Sequence, residues 1–144
     1  MRLAKNIEDI GASSLAIKDM AGLLRPKTAY TLIKKLKKNL NIPIHLHTHS
    51  TTGLADATNF KAFEAGVDNI DTSISSFSNL YAHTATESMI AMMYDNQSSP
   101  FNNELLTEIS NYFENIRKNY SKYEGSMKGI DVKMLTNQVP GGML

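Results

Sequence analysis

Three histidines at alternate positions, His45, His47 and His49, are the residues of this chain best suited to chemistry. They follow the apolar run Asn41-Ile42-Pro43-Ile44, so Pro43 to His49 reads as a buried strand. Side chains alternate across a strand. All three imidazoles therefore project from one side, with neighbours about 6–7 Å apart, and Leu46 and Thr48 point the other way. Imidazole is the commonest protein metal ligand, and two rings at this spacing can converge on one divalent cation. The same pattern fits histidines that are simply hydrogen-bonded or partly exposed, because polar rings on a buried face must be paired. The spacing selects no particular metal.

The elements that must position these rings alternate along the chain. Leu3, Ile7 and Ile10 recur at helical spacing, and Gly11 follows as a helix stop. Ser14 to Lys18 reads as a short buried strand. Pro26 opens the next helix, where its missing N–H does no harm. Ala29, Leu32, Ile33, Leu36 and Leu40 give that helix one apolar stripe, and Lys34, Lys35, Lys37 and Lys38 form its solvated face. After the histidine strand, Gly53 breaks the chain, Leu54 to Ala65 reads as a helix ended by Gly66, and Asn69 to Ile74 reads as a third strand. The junctions at Gly11 and Gly66 share one design: helix, glycine, polar turn, apolar strand. Such alternation predicts an α/β fold with a parallel sheet and helices outside it. Ser75 to Asn79 reads as a loop. Thr84 with Glu87 three residues on suggests a capping box for a helix through Tyr94. Asp95 to Asn102 reads as a linker or an irregular strand. Leu105, Ile109, Tyr112, Phe113, Ile116 and Tyr120 mark a long amphipathic helix.

Composition narrows the function classes. A net charge of +1 over 144 residues gives no electrostatic case for nucleic acid or a membrane surface. No apolar run approaches the ~20 residues of a membrane span. Arg2, Lys5, Glu8 and Asp9 interrupt any signal-peptide core at the N-terminus. With no cysteine, disulfides and thiolate metal sites are excluded, which is compatible with a cytoplasmic location.

In parallel α/β sheets, sites form at the carboxyl ends of the strands. Lys18 ends the first strand and His47 and His49 end the second. Asp71 and Thr72 lie within the third, with Ser75, Ser76 and Ser78 just after it. A protonated lysine repels a metal ion and has no lone pair to offer. Carbamylation by carbon dioxide would make it an anionic oxygen ligand. Spacing alone does not show this, and Lys18 also fits an ordinary lysine paired with Asp19 or another carboxylate.

Four stretches in order carry a family resemblance: Ile17-Lys18-Asp19-Met20-Ala21-Gly22-Leu23-Leu24, His45 to His49, Glu64-Ala65-Gly66-Val67-Asp68, and Val139-Pro140-Gly141-Gly142-Met143. Together they resemble the biotin-dependent carboxyltransferases. That family includes the oxaloacetate decarboxylase alpha subunit, the pyruvate carboxylase carboxyltransferase domain and the transcarboxylase pyruvate-binding subunit. Thr51-Thr52-Gly53-Leu54-Ala55, Asp71-Thr72-Ser73-Ile74-Ser75 and the ending Asn137 to Leu144 resemble the decarboxylase subunit most. The resemblance covers nearly the whole chain.

It implies the second half of a (β/α)8 TIM barrel in residues 1–98, with the last barrel helix and the start of a post-barrel region in 99–144. It places metal ligation on Lys18, as the carbamylated lysine, and on His47 and His49, with His45 as a packing or supporting residue. The ion is then zinc, manganese or cobalt, a Lewis acid at a keto acid while a carboxyl group moves between oxaloacetate or pyruvate and biotin. Carboxybiotin would come from a biotin carrier domain or protein, since no Ala-Met-Lys-Met-like attachment sequence occurs. The family's aspartate ligand and its substrate-binding arginine and glutamine are expected before this chain. Its proton-shuttling threonine is expected after Leu144. Departures from the pattern are Ser50, where an aspartate is usual, and Asn79 to Ala85, where a glycine-rich loop is usual. The expected partners are the N-terminal barrel half and a further copy in a homo-oligomer. A membrane complex is expected only through partner subunits. The alternatives are a truncated fragment inactive alone, serving as an assembly partner, and an amidohydrolase-type metallohydrolase. In the latter the His-x-His precedes the lysine, the reverse of the order here.

Overall fold

The computed structural model describes residues 1–95, 99–126 and 129–136. Three parallel strands form a sheet in the order β1 (Leu15–Asp19), β2 (Ile44–Thr48), β3 (Asn69–Ile70). Helix α1 (Arg2–Asp9) precedes β1. Helices α2 (Pro26–Asn39) and α3 (Ala55–Glu64) connect successive strands. Parallel strands need crossovers of this kind, and the helices cover one face of the sheet. Pro26 occupies the start of α2, and Gly11 and Gly66 take the left-handed conformation just after α1 and α3.

The core lies between the helices and one face of the sheet. Ile44 and Leu46 of β2 are fully buried and meet Ile33 and Leu36 of α2 and Ala62 of α3. Complete burial of each large aliphatic side chain contributes about 1.5–3 kcal/mol. Asp68 locks the edge of this layer. Its carboxylate accepts from the Ile44 N–H (2.7 Å) and from Lys37 Nζ (2.6 and 2.7 Å). Lys37 of the otherwise solvated face is thus bound across to the β3 entry.

Two expectations change. The third strand is short: the Asp71 N–H still bonds the Leu46 carbonyl (3.0 Å), but the ladder stops there. The next pairing of a parallel ladder would join the Ser73 N–H to the Thr48 carbonyl. That carbonyl instead accepts from His83 Nδ1 (2.9 Å), and the Ser73 N–H turns to the Thr84 carbonyl (3.0 Å). Nor does Thr84 cap the next helix, α4 (Thr86–Tyr94), whose flanking residue is Ala85. Thr84 is fully buried and accepts from Asn59 Nδ2 (2.9 Å), while Glu87 accepts from the Ser75 N–H and hydroxyl. Tertiary partners outcompete the local box.

Ser75–Phe77 forms a 3-10 turn within the expected loop. The long helix α5 (Asn103–Asn119) is capped by Asn102, which accepts from the Leu105 N–H (3.0 Å). It rests on that turn through the Phe77 and Phe113 rings (centroids 5.7 Å apart), Ser110 and Arg117. None of its described residues is buried. The expected division after residue 98 and the motif at 139–143 lie outside the described residues. No helix among the described residues is long and apolar enough to cross a membrane.

Candidate metal centre

The register of β1 against β2 pairs Ala16 with His45 and Lys18 with His47. Paired residues of a parallel ladder share a face, so Lys18 stands beside His47 on the face opposite Ile44 and Leu46. The three β2-associated histidines are half-buried rather than deeply buried, because no helix covers that face.

Three loops at the carboxyl ends of the strands are tied together around the rings. Asp19 closes the β1 loop, accepting from the Leu23 and Leu24 N–H groups (2.9 and 2.7 Å) and from Thr48 Oγ1 (3.1 Å). The His49 N–H donates to the Asp19 carbonyl (3.0 Å), and Thr52 Oγ1 donates to the Gly22 carbonyl. Gly22 has φ +67°, and a Cβ there would lie 2.5 Å from the His49 carbonyl oxygen. Only glycine fits this approach. The Ser50 N–H donates to the Ala82 carbonyl (2.8 Å), joining the loop after β3. That loop carries two consecutive left-handed residues, Asn79 (φ 66°) and Leu80 (φ 52°). They stand in the stretch where the family resemblance expects glycines. The strain at Leu80, about 1–2 kcal/mol, persists because the surrounding hydrogen bonds fix the loop.

A ring nitrogen from each of His47, His49 and His83 lies within 4.8 Å of the others. His47 and His49 approach through their Nε2 atoms, 3.2 Å apart. The partners on the other side of each ring decide the tautomers. His47 Nδ1 lies 2.6 Å from Asp71 Oδ2, His49 Nδ1 bonds the Tyr81 carbonyl, and His83 Nδ1 lies 2.9 Å from the Thr48 carbonyl. Carbonyl and carboxylate oxygens only accept, so each Nδ1 carries a proton, and Nε2 is the nitrogen left to offer a lone pair in the neutral form of each ring. Two lone pairs 3.2 Å apart repel unless a proton or a metal ion lies between them. Tetrahedral zinc with Zn–N bonds near 2.0–2.1 Å separates its nitrogen ligands by about 3.3 Å. The donor set therefore fits a divalent metal.

Burial lowers the His49 pKa, and the neighbouring His83 and His47 push it further down against the opposing Tyr81 bond. The ring is thus held neutral and able to ligate. Burial favours the protonated Asp71 carboxyl, but the hydrogen bonds from His47 and His45 outweigh it and hold the group below its ordinary range. Asp71 binds two histidines at once, since its Oδ1 also accepts from His45 Nε2 (2.6 Å). His45 is therefore turned to Asp71 and stands outside the cluster.

Lys18 is exposed and makes no hydrogen bond or ion pair among the described residues. Asp19, the partner available next to it, is committed to its own loop. The structure brings His47 and His49 together and sets Lys18 on their face. Sequence reasoning missed the bridging of Asp71, the Tyr81 carbonyl and the approach of His83. The one sequence signal was that Asp71 lies in the third strand and His83 follows it, near the carboxyl end of the sheet where loops converge.

The sheet, with its site at the strand ends, is a partial TIM barrel. The chain belongs to the HMGL-like family, which it matches over residues 1–113. It is 42% identical over 141 residues to pyruvate carboxylase of Bacillus subtilis, covering 97% of this chain and 12% of that protein. It is also 42% identical over 147 residues to the methylmalonyl-CoA carboxyltransferase 5S subunit of Propionibacterium freudenreichii, all of this chain and 29% of that one. The carboxyl transferase domain of Rhizobium etli pyruvate carboxylase, solved with pyruvate, superimposes with a TM-score of 0.88 at 35% identity. That match covers 93% of this chain and 23% of the domain's chain. The chain thus spans less than a third of these relatives, which are carboxyltransferases of the pyruvate carboxylase type.

Proposed function

We propose that this chain is the metal-holding part of a biotin-dependent carboxyltransferase that moves a carboxyl group between oxaloacetate or pyruvate and biotin, as an oxaloacetate decarboxylase alpha subunit does. The observation that carries this reading is the facing pair of Nε2 atoms, 3.2 Å apart, on rings anchored through Nδ1. In this reading His47 and His49 hold a zinc, manganese or cobalt ion together with a carbamylated Lys18. The neutral Lys18 amine adds to carbon dioxide and releases one proton, which turns a cation into an anionic oxygen ligand. When bound, the ion supplies Lewis-acid stabilisation of negative charge developing on a keto-acid oxygen. Asp71 fixes the tautomer of His47, and the Tyr81 carbonyl does the same for His49. Carboxybiotin is brought by a carrier domain or a separate protein.

A second reading is an assembly partner of the other barrel half, without activity alone. The exposure of Lys18 and the uncovered histidine face favour it. Metal content and oxaloacetate decarboxylation, measured on the chain with and without a first-half barrel fragment and carboxylation partner, test both readings. In the active assembly, His47→Ala and His49→Ala are expected to lose bound metal and most decarboxylation, His45→Ala to lose little, and Lys18→Arg to lose activity even with metal supplied. Equal losses at all three histidines would overturn the ligand assignment. A metal-loaded assembly with no decarboxylation would leave the second reading.

A further inference from the structure

We propose that the cleft between the turn after β3 and the chain leaving α5 binds a small planar carboxylate, its ring against tyrosine side chains and its carboxylate on Arg117. The proposal does not depend on the metal centre.

The cleft encloses about 430 Å³, within the range of small-molecule sites. One wall is the turn that carries Leu80 and Tyr81. The other is Tyr120 with the 3-10 turn Ser121–Tyr123 that follows it. Phe77, Tyr81, Tyr120 and Tyr123 line the hollow and are between 41% and 72% exposed. Three of the chain's six tyrosines thus surround one concavity, where a flat ligand would displace water from several rings at once.

Arg117 gives the cleft its polar anchor. Its Nε donates to Glu124 (2.5 Å) and its Nη1 to the Ser76 carbonyl (2.6 Å). Those two bonds fix the guanidinium plane, and its other N–H donors make no hydrogen bond among the described residues. A fixed guanidinium fork matches a carboxylate in both shape and charge. Aromatic walls by themselves would suit a cation equally well. The charges decide against one. Glu124 is matched by Arg117, and Lys122 stands beside the cleft, its Nζ 4.9 Å from the Tyr123 ring centroid. The surplus at the rim is positive.

Both walls are built in advance. The Tyr81 carbonyl is bonded to His49 Nδ1, and the Ala82 N–H donates to the Asn79 carbonyl (2.8 Å). The Tyr120 N–H donates to the Arg117 carbonyl (2.9 Å) and the Tyr123 N–H to the Tyr120 carbonyl (2.8 Å). Little ordering of the backbone is left to oppose binding.

The test is fluorine NMR titration of 4-fluorobenzoate with the full chain, kept metal-free by a chelator. Saturable binding is expected, with a Kd of about 1 mM or tighter. Phenyltrimethylammonium, a flat cation of similar size, is expected not to compete. Arg117→Gln removes the anchoring charge, and Tyr123→Ala removes an exposed ring on which no fold contact depends. Each is expected to weaken binding at least about fivefold. If Arg117→Gln alters the far-ultraviolet spectrum, Tyr123→Ala decides alone. No saturation below about 10 mM would overturn the proposal, and so would unchanged affinity in the variants. Displacement by phenyltrimethylammonium would overturn the choice of an anion. Since no metal is present in the titration, none of these results bears on His47 and His49 as ligands.

Discussion

The two faces of this sheet obey different rules. On one, Ile44, Leu46 and Thr48 are buried under α2 and α3, and any residue of the right size and polarity would serve. On the other, Ala16 and Lys18 are exposed, His45 and His47 are half-buried, and the two rings are held by a polar group in fixed orientation. The helix face is held by area removed from water, a force without direction. The histidine face is held by hydrogen bonds whose geometry fixes protons and lone pairs. Stability and chemistry are thus divided across a single layer of backbone, and β2 serves both through its alternation.

That division can be broken from either side. The largest effect is expected at Leu46→Ala, which opens a cavity under α2 and α3. Thermal or denaturant unfolding is expected to show a loss of about 2–5 kcal/mol. A loss under about 1 kcal/mol would mean that the core is not centred on β2. On the other face, Asp71→Asn removes the carboxylate that fixes His47 and His45. Metal affinity by calorimetry is expected to fall about 10–100-fold, equivalent to about 1.4–2.7 kcal/mol. The far-ultraviolet spectrum should stay unchanged, and an unaltered affinity would show that the His47 tautomer is set elsewhere.

The smallest effect is in pH dependence. The folded pKa of His49 lies below its unfolded value of about 6.5. Between the two, the unfolded chain binds more protons than the folded one, so stability falls as pH drops through that window. Melting of the metal-free chain is expected to show this decline, and His49→Gln to flatten it. The lowered Asp71 pKa acts only in a separate, lower window, because it sits below the ordinary carboxylate range. A decline of the same size in His49→Gln would assign the titration to another group.

The order of elements was legible because it depends on local pattern. The stripe on α2, the glycines after α1 and α3, and the alternation in β2 each specify structure over a few residues. Parallel pairing followed, and with it the sharing of a face by Lys18 and His47. The end of β3 was not legible. Its termination depends on His83, 35 residues from the carbonyl it takes. Thr84 illustrates the same failure, since Asn59 of α3 claims a hydroxyl that local spacing assigned to a cap.

By itself, the sequence determined the α/β alternation and the one-sided placement of His45, His47 and His49, because strand and helix periods are properties of the backbone. Tertiary structure alone decided which ring turns to Asp71, which nitrogens face each other, and that a loop histidine joins them. Those choices are made by carbonyls and carboxylates brought from distant parts of the chain, and a hydrogen bond between remote residues leaves no periodic trace in the order of amino acids.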